Sequence, residues 1–243
     1  MRVPRLYVPQ PLAPGLSVEL DPSAARHTTR VLRLRPGAEL ILFNGDGSEY
    51  HAELTGDPKR GGCARIIAAV ERHNESPLAI TLGQGIARGE RMDYIVQKAV
   101  ELGVACIVPL ITERTVVRLE GARREQRRSH WQRIVESACE QCGRTRLPQL
   151  LDPMPLDQWI PEVPAGNRWY LDPDAPAGFA QLPRPVDGVV LVIGPEGGFS
   201  PDEKDTVRKA GFRGTRMGPR ILRTETATLA ALAALQTLWG DAG

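Results

Sequence analysis

No apolar run in this 243-residue chain approaches the roughly 20 residues that a bilayer-spanning helix needs. Its start, MRVPRLYVPQPLAPG, is broken by prolines where a secretory signal would carry an apolar core, so a cytoplasmic protein without membrane attachment is expected. Cysteine is scarce. Cys63, Cys106, Cys139 and Cys142 are too few and too scattered for a disulfide framework, and reduced thiols are expected. The C-x-x-C of Cys139 and Cys142 lacks a second pair to complete a zinc site, so no metal is expected. Lysine is rare among the basic residues, which are almost all arginine, and a net charge of +2 does not by itself point to nucleic acid. Also missing are the Walker pattern with its Lys-Ser/Thr and the G-x-G-x-x-G dinucleotide fingerprint. What remains, 42% hydrophobic and 25% charged, is the composition of a soluble globular protein with at least one sizeable core.

The most demanding local chemistry lies between Val189 and Trp239. VVLVI is short, β-branched and bounded by glycine, which suits a strand buried on both faces of a parallel sheet. GPEGGFS then makes a strand-to-helix turn in which glycines let a ligand approach the backbone. Ser200, Pro201 and Glu203 form an N-cap, a first-position proline and a capping box. Such a turn ordinarily suggests phosphate. Glu196, Asp202 and Glu203 give it the wrong sign, with no Lys or Arg from Val189 to Glu203, so a neutral or cationic adenosine-type ligand is preferred. GTRMGP reads as a second strand and turn, RILRTETA as a polar loop and TLAALAALQTLW as a helix. If the two strands are sheet neighbours, both turns open at the carboxyl edge and Arg220, Arg223, Thr224, Glu225 and Thr226 face the ligand. Capping of the last helix by Thr224 or Thr226, with solvated arginines, is the alternative.

Residues 1–74 carry a different pattern. RLYVP, SVEL, ELILFN, EYHAELTG and CARIIAAVER read as short strands, and NGDG is a strong hairpin signal, which together suggest a small barrel. The segment DPSAARHTTRVLRLRPG presents Arg26, His27, Arg30, Arg33 and Arg35, as an RNA-binding face or an ordinary solvated one. From residue 75, LAITLGQGI, ARGERMDYIVQKAVELGV and ACIVPLI form a βαβ unit whose helix closes at Gly103 and turns Ile95, Ala99 and Leu102 to the core. The next stretch, EGARREQRRSHWQRIVESACEQCGRTRLPQL, is helical in pattern. Its Arg123, Arg124, Arg127 and Arg128 suit a solvated face, a salt-bridged face or an RNA-contact stripe equally, and Glu136, Glu140 and Arg144 share one helical face.

Taken together, RVLRLRPG, ARGERMDYIVQKAVELGV, ERTVVR, ESACEQCGR, LVIGPEGGFS and GPRILRTETA resemble the RsmE-type 16S ribosomal RNA (uracil-N3)-methyltransferases of the SPOUT superfamily over essentially the whole chain. The resemblance implies an α/β fold in two parts, a PUA-like RNA-binding β-barrel over 1–74 and a SPOUT trefoil-knot methyltransferase domain over 75–243. It also implies a homodimer, bound S-adenosylmethionine, and 16S ribosomal RNA or the small ribosomal subunit as partner. Ile193, Gly194, Pro195, Glu196, Gly197 and Gly198 would form one cofactor loop. Met217, Gly218, Pro219, Ile221, Leu222, Arg223 and Thr224 would form another, joined by Ala227, with Leu171 and Asp172 on the adenine side. RNA contacts would come from Arg2, Arg5, Arg26, His27, Arg30, Arg33, Arg114, Arg123, Arg124, Gln141 and Arg144. The chemistry expected is direct methyl transfer to N3, with Arg223 stabilising the developing charge and Glu225 or Glu140 as base. Ribose 2'-O methylation, a non-catalytic RNA-binding role and a nucleotide-dependent enzyme are the rival readings.

Overall fold

The computed structural model describes residues 3–21, 25, 28, 34–55, 62–116 and 121–243. Two compact units emerge, Met1–Glu75 with Cys139–Leu147, and Ser76–Ala138 with Pro148–Gly243. In the first, each short apolar run becomes a strand: β1 (Arg5–Tyr7), β2 (Ser17–Glu19), β3 (Glu39–Phe43), β4 (Ser48–Leu54) and β5 (Cys63–Glu71). They order as β1-β3-β4-β5-β2, with β1 parallel to β3 and the other pairs antiparallel. NGDG makes the β3–β4 turn as expected, Asp46 accepting from Ser48 N–H at 2.8 Å and from the Tyr50 hydroxyl at 2.6 Å. Leu6, Val18, Leu40, Leu42, Leu54 and Ile66 form the core beneath the sheet.

Two arginines expected to contact RNA are instead interior to this unit. Arg5 and Arg144 are 8% and 7% exposed. Arg5 pairs with Glu49 and donates to the carbonyls of Gly143 and Arg144 at 3.1 Å, while Arg144 Nε donates to Glu75 at 3.0 Å. A guanidinium so enclosed cannot reach a phosphate without giving up its carboxylate partner. The predicted Glu136–Glu140–Arg144 face is likewise corrected, because the helix stops at Cys142 and Glu140 accepts the Tyr7 N–H at 3.0 Å.

In the second unit the chain runs through β6 (Ile80–Gly85), α1 (Glu90–Glu101), β7 (Cys106–Ile111), α2 (Ala122–Cys142), β8 (Gln149–Leu150), β9 (Met154–Pro155), α3 (Leu156–Trp159), β10 (Arg168–Leu171), β11 (Val189–Ile193), α4 (Pro201–Lys209), β12 (Arg213–Thr215) and α5 (Thr224–Trp239). The sheet orders as β12-β10-β11-β6-β7-β8, with β9 beside β7, and each recorded pair is parallel. β11 is central, and Leu191, Val192 and Ile193 are buried, as its unbroken apolar run required. On α1 the buried face is wider than the predicted stripe: Met92, Val96 and Val100 join Ile95 and Ala99, whereas Leu102 caps the helix half-buried. No helix among the described residues is long and apolar enough to cross a membrane.

Two expectations about the carboxyl edge change. β11 and β12 are not neighbours, since β10 pairs with both. And α5 begins at Thr224, so the polar RTETA segment is largely helix rather than loop. Arg223 occupies the N-cap position without a side-chain cap, and neither Thr224 nor Thr226 plays that part. The Thr224 hydroxyl donates to Gly194 O at 2.7 Å instead, fixing the start of α5 against the end of β11.

Candidate functional site

The turn after β11 is drawn tight by Gly198 N–H donating to Pro195 O at 2.9 Å, with Gly198 at φ +66°. The following helix is closed off at its N-terminus. Ser200 Oγ accepts from Glu203 N–H at 3.2 Å, Glu203 accepts the Ser200 N–H at 2.8 Å, and the other carboxylate oxygen takes the Glu113 N–H at 2.7 Å. With Pro201 contributing no N–H and Glu203 placing its own charge there, this helix end has little to offer a phosphate.

Glu196, Glu203 and Asp172 are engaged with protein partners, whereas Asp202 is exposed. Glu196 accepts the Arg88 N–H at 2.9 Å and Arg91 Nη1 at 3.0 Å. Burial alone would raise its carboxyl, but the Arg88 and Glu196 backbone N–H groups and the Arg91 guanidinium more than offset that and hold it below its ordinary range. Asp172 is buried at 3% exposure and takes Lys204 Nζ at 2.9 Å, with Arg208 Nη2 at 3.4 Å. Arg114, Lys204, Arg216 and Arg220 all reach the same space. The expectation that an unpaired acidic loop repels phosphate therefore does not hold as stated, since basic side chains reach the space as well; what remains against a phosphate is the closed helix end.

That space is a cavity of about 360 Å³ at the carboxyl edge of the sheet, within the size range of small-molecule sites. Leu171 and Asp172 enter it from the end of β10, Ile193 through Gly198 from the β11 turn, Met217, Gly218, Ile221 and Leu222 from the β12–α5 connection, and Thr224 and Ala227 from α5. Two residues expected on its wall are elsewhere: Pro219 does not line it, and Arg223 lines an adjoining cleft with Arg91. Sequence reasoning missed Phe199, Lys204, Thr215 and Arg216. Thr215 and Arg216 immediately precede the recognised Met217, so only the strand end, not a residue signal, could have found them. Arg114, expected on RNA, donates to Gly197 O at 2.7 Å and so braces this wall.

Glu225 stands in the first turn of α5, its Oε1 3.9 Å from Arg91 Nε and its Oε2 buried without a hydrogen-bond partner among the described residues. Arg223 is exposed beside it. Glu140 belongs to the first unit and does not line the cavity. Arg123 and Arg124 are exposed in the first turn of α2 and make no ion pair among the described residues, and Gln141 is exposed near its end. Arg2, Arg26, His27, Arg30 and Arg33 lie outside the described residues. No group of three potential metal ligands occurs among those described. Burial pushes the Cys139 thiol up to about 12 and the Cys106 thiol to about 11, so both are neutral near pH 7.

Asp172 gives this wall a pH dependence. Burial would raise its carboxyl from 3.8, but the Lys204 hydrogen bond, the Asp174 N–H, the Lys204 charge and the Tyr170 hydroxyl outweigh it and hold it lower. A depressed carboxyl contributes its full stability above the unfolded value and loses it as pH falls through the folded one. Asp172→Asn is expected to cost about 1–3 kcal/mol at neutral pH, and its melting temperature should drop less than the wild type's between pH 4 and pH 2. Parallel melting curves for the two proteins would contradict this.

Comparison with known proteins matches this architecture. Residues 74–236 fit an RNA methyltransferase domain and residues 20–67 an RNA methyltransferase PUA domain. The ribosomal RNA small subunit methyltransferase E of Buchnera aphidicola is 34% identical over 99% of this chain and 98% of its own. The crystal structure of ribosomal RNA small subunit methyltransferase E from Neisseria gonorrhoeae, bound to S-adenosyl methionine, is 41% identical with a TM-score of 0.92, covering 99% of each chain. A protein from Legionella pneumophila solved in complex with the bound cofactor SAM is 42% identical with a TM-score of 0.96, covering 99% of this chain and 100% of that one. With the fold, the cavity and these full-length similarities in agreement, the chain belongs to the ribosomal RNA small subunit methyltransferase E family.

Proposed function

We propose that this protein transfers a methyl group from S-adenosylmethionine to N3 of a uridine in 16S ribosomal RNA. The observation that carries the reading is the cavity at the sheet's carboxyl edge, built from the β11 turn and the β12–α5 connection and backed by a closed helix N-terminus. Its glycine backbone and its apolar Leu171, Ile193, Met217 and Leu222 suit a ligand with a neutral purine and ribose, and its Arg114 and Arg216 suit a carboxylate. Relatives solved with that cofactor support the same choice. The cofactor supplies an electrophilic methyl on a sulfonium, which is left as a neutral thioether when N3 takes the methyl and gives up its proton. Glu225 is favoured as proton acceptor by its unpartnered Oε2, and Arg223 as the cation that stabilises charge on the uracil oxygens.

The larger frame of the proposal is a cytoplasmic homodimer in which residues 1–74 bind RNA and residues 75–243 form a trefoil-knot catalytic domain. The separate family matches support that division, and exposed Arg123 and Arg124 supply phosphate contacts. Calorimetric titration with S-adenosylmethionine should show one site per chain. Mass spectrometry of nucleosides from treated small-subunit RNA should then show 3-methyluridine. Ribose methylation would sink the N3 assignment, and absence of cofactor binding would sink the enzyme. Glu225→Gln is expected to slow single-turnover transfer roughly 10- to 100-fold with cofactor affinity within about threefold of wild type. A normal rate would leave Arg223 acting without a base.

A further inference from the structure

An arginine in the first turn of a helix is set against the helix dipole, and α1 begins at Gly89 with no side-chain cap. Arg91 occupies that unfavourable place, yet it has two acidic partners from distant parts of the chain. Its Nη1 meets Glu196 in the β11 turn at 3.0 Å, and its Nε lies 3.9 Å from Glu225 at the start of α5. Glu196 also accepts the Arg88 N–H, so its carboxylate is tied to the segment that leads into α1. The Arg91 side chain is 46% exposed, and at that exposure ion pairs add little to folding stability. Geometry is the better reason for the arrangement.

The cleft beside this guanidinium is lined by Arg91, Glu196, Ile221, Leu222, Arg223 and Thr224, and it shares Glu196, Ile221, Leu222 and Thr224 with the main cavity. The two spaces are therefore contiguous through a common wall. Ile221, 86% exposed, offers an apolar shelf between them, and Arg223 offers a cationic donor, whereas the Arg91 guanidinium is turned to Glu196 and Glu225. A flat pyrimidine that becomes anionic at its imide fits this combination of one apolar face and one guanidinium group. Building on the methyltransferase reading, we propose that this second cleft receives the acceptor base, and that Arg91 is the positioning residue that sets both the cofactor turn, through Glu196, and the proton acceptor, through Glu225.

Because Arg91 acts on the transfer step through Glu225, removing it should matter little to the rate at saturating S-adenosylmethionine once Glu225 is gone. Single-turnover transfer to small-subunit RNA is to be measured for Arg91→Ala, Arg91→Lys, Glu225→Gln and the Arg91→Ala/Glu225→Gln double variant, beside calorimetry with S-adenosylmethionine alone. Arg91→Ala is expected to lower the rate about 30-fold and to weaken cofactor binding about three- to tenfold, with an unchanged melting curve. Arg91→Lys should recover most of the cofactor affinity, and the double variant should be within about threefold of Glu225→Gln. A wild-type rate in Arg91→Ala, or losses that multiply in the double variant, would overturn the positioning role. A wild-type protein that binds no S-adenosylmethionine would overturn the methyltransferase reading itself, which the same titration detects separately.

Discussion

Gly85→Ala is expected to weaken S-adenosylmethionine binding by more than about 100-fold and to destabilise the second unit by at least about 2 kcal/mol. Gly85 ends β6, and a Cβ there would stand 2.5 Å from Pro195 N, 2.6 Å from Pro195 Cδ and 2.8 Å from Gly194 C. Those are atoms of the cavity wall, and they have nowhere to go. Gly194 O is held by the Thr224 hydroxyl, Pro195 O by Gly198 N–H and Gly197 O by Arg114. On the other side, β6 is pinned in register between β7 and β11. Relief must come from moving the turn, which is the same as reshaping the cofactor site. Gly197→Ala supplies the comparison, because its methyl meets Arg114 Cβ at 3.1 Å and Cδ at 3.2 Å rather than backbone inside 3 Å, and a shift of a few tenths of an ångström relieves those contacts. Thermal melts and calorimetry on both variants decide the matter. Equal losses would mean that the Gly85 contact is not special.

The elements were legible where local chemistry decides them. Each strand of the first unit coincides with a short β-like run set off by a glycine or proline turn, and the Ser200–Glu203 cap is written in four consecutive residues. What the chain could not disclose depends on pairing across long separations. That β10 lies between β11 and β12 follows from registers such as Trp169 with Leu191 and Trp169 with Arg213, for which no local pattern exists. The start of α5 was read as loop because Arg223 to Thr226 is polar, and polarity at a helix start cannot distinguish a solvated turn from one whose Thr224 is buried against Gly194. Arginine was the least legible residue type. The same side chain is interior at Arg5 and Arg144, a wall brace at Arg114, a bridge at Arg91 and free of ion pairs among the described residues at Arg123 and Arg124. Charge clustering points to Arg123 and Arg124 but not to Arg91, and only the position of the partner carboxylate or carbonyl separates the roles of all six.

Beneath the cavity, Gln84→Leu is expected to cost about 2–4 kcal/mol, which for a unit of this size is a fall of roughly 5–15 °C in melting temperature. The Gln84 side chain is fully buried, and its amide donates to Gly85 O at 2.9 Å and to Thr224 Oγ1 at 3.1 Å while its oxygen accepts from the Thr228 hydroxyl at 2.6 Å. Thr224 passes the chain on to Gly194 O. The end of β6, the end of β11 and the first two turns of α5 therefore meet in one satisfied polar cluster inside an apolar surround, where each lost partner strands a group away from water. Thr228→Val removes a single member and should cost about 1–2 kcal/mol, because it leaves the Gln84 oxygen unpaired. Combining it with Gln84→Leu should cost less than the sum, since the double variant removes both ends of that hydrogen bond and orphans neither. Additive losses in denaturant unfolding would show that the two side chains act independently. If they are coupled, the position of Glu225 is coupled as well, because the residue that presents the proposed base is one step along the helix from the Thr224 that Gln84 holds. Methyl transfer by Gln84→Leu should then fall further than its cofactor affinity does.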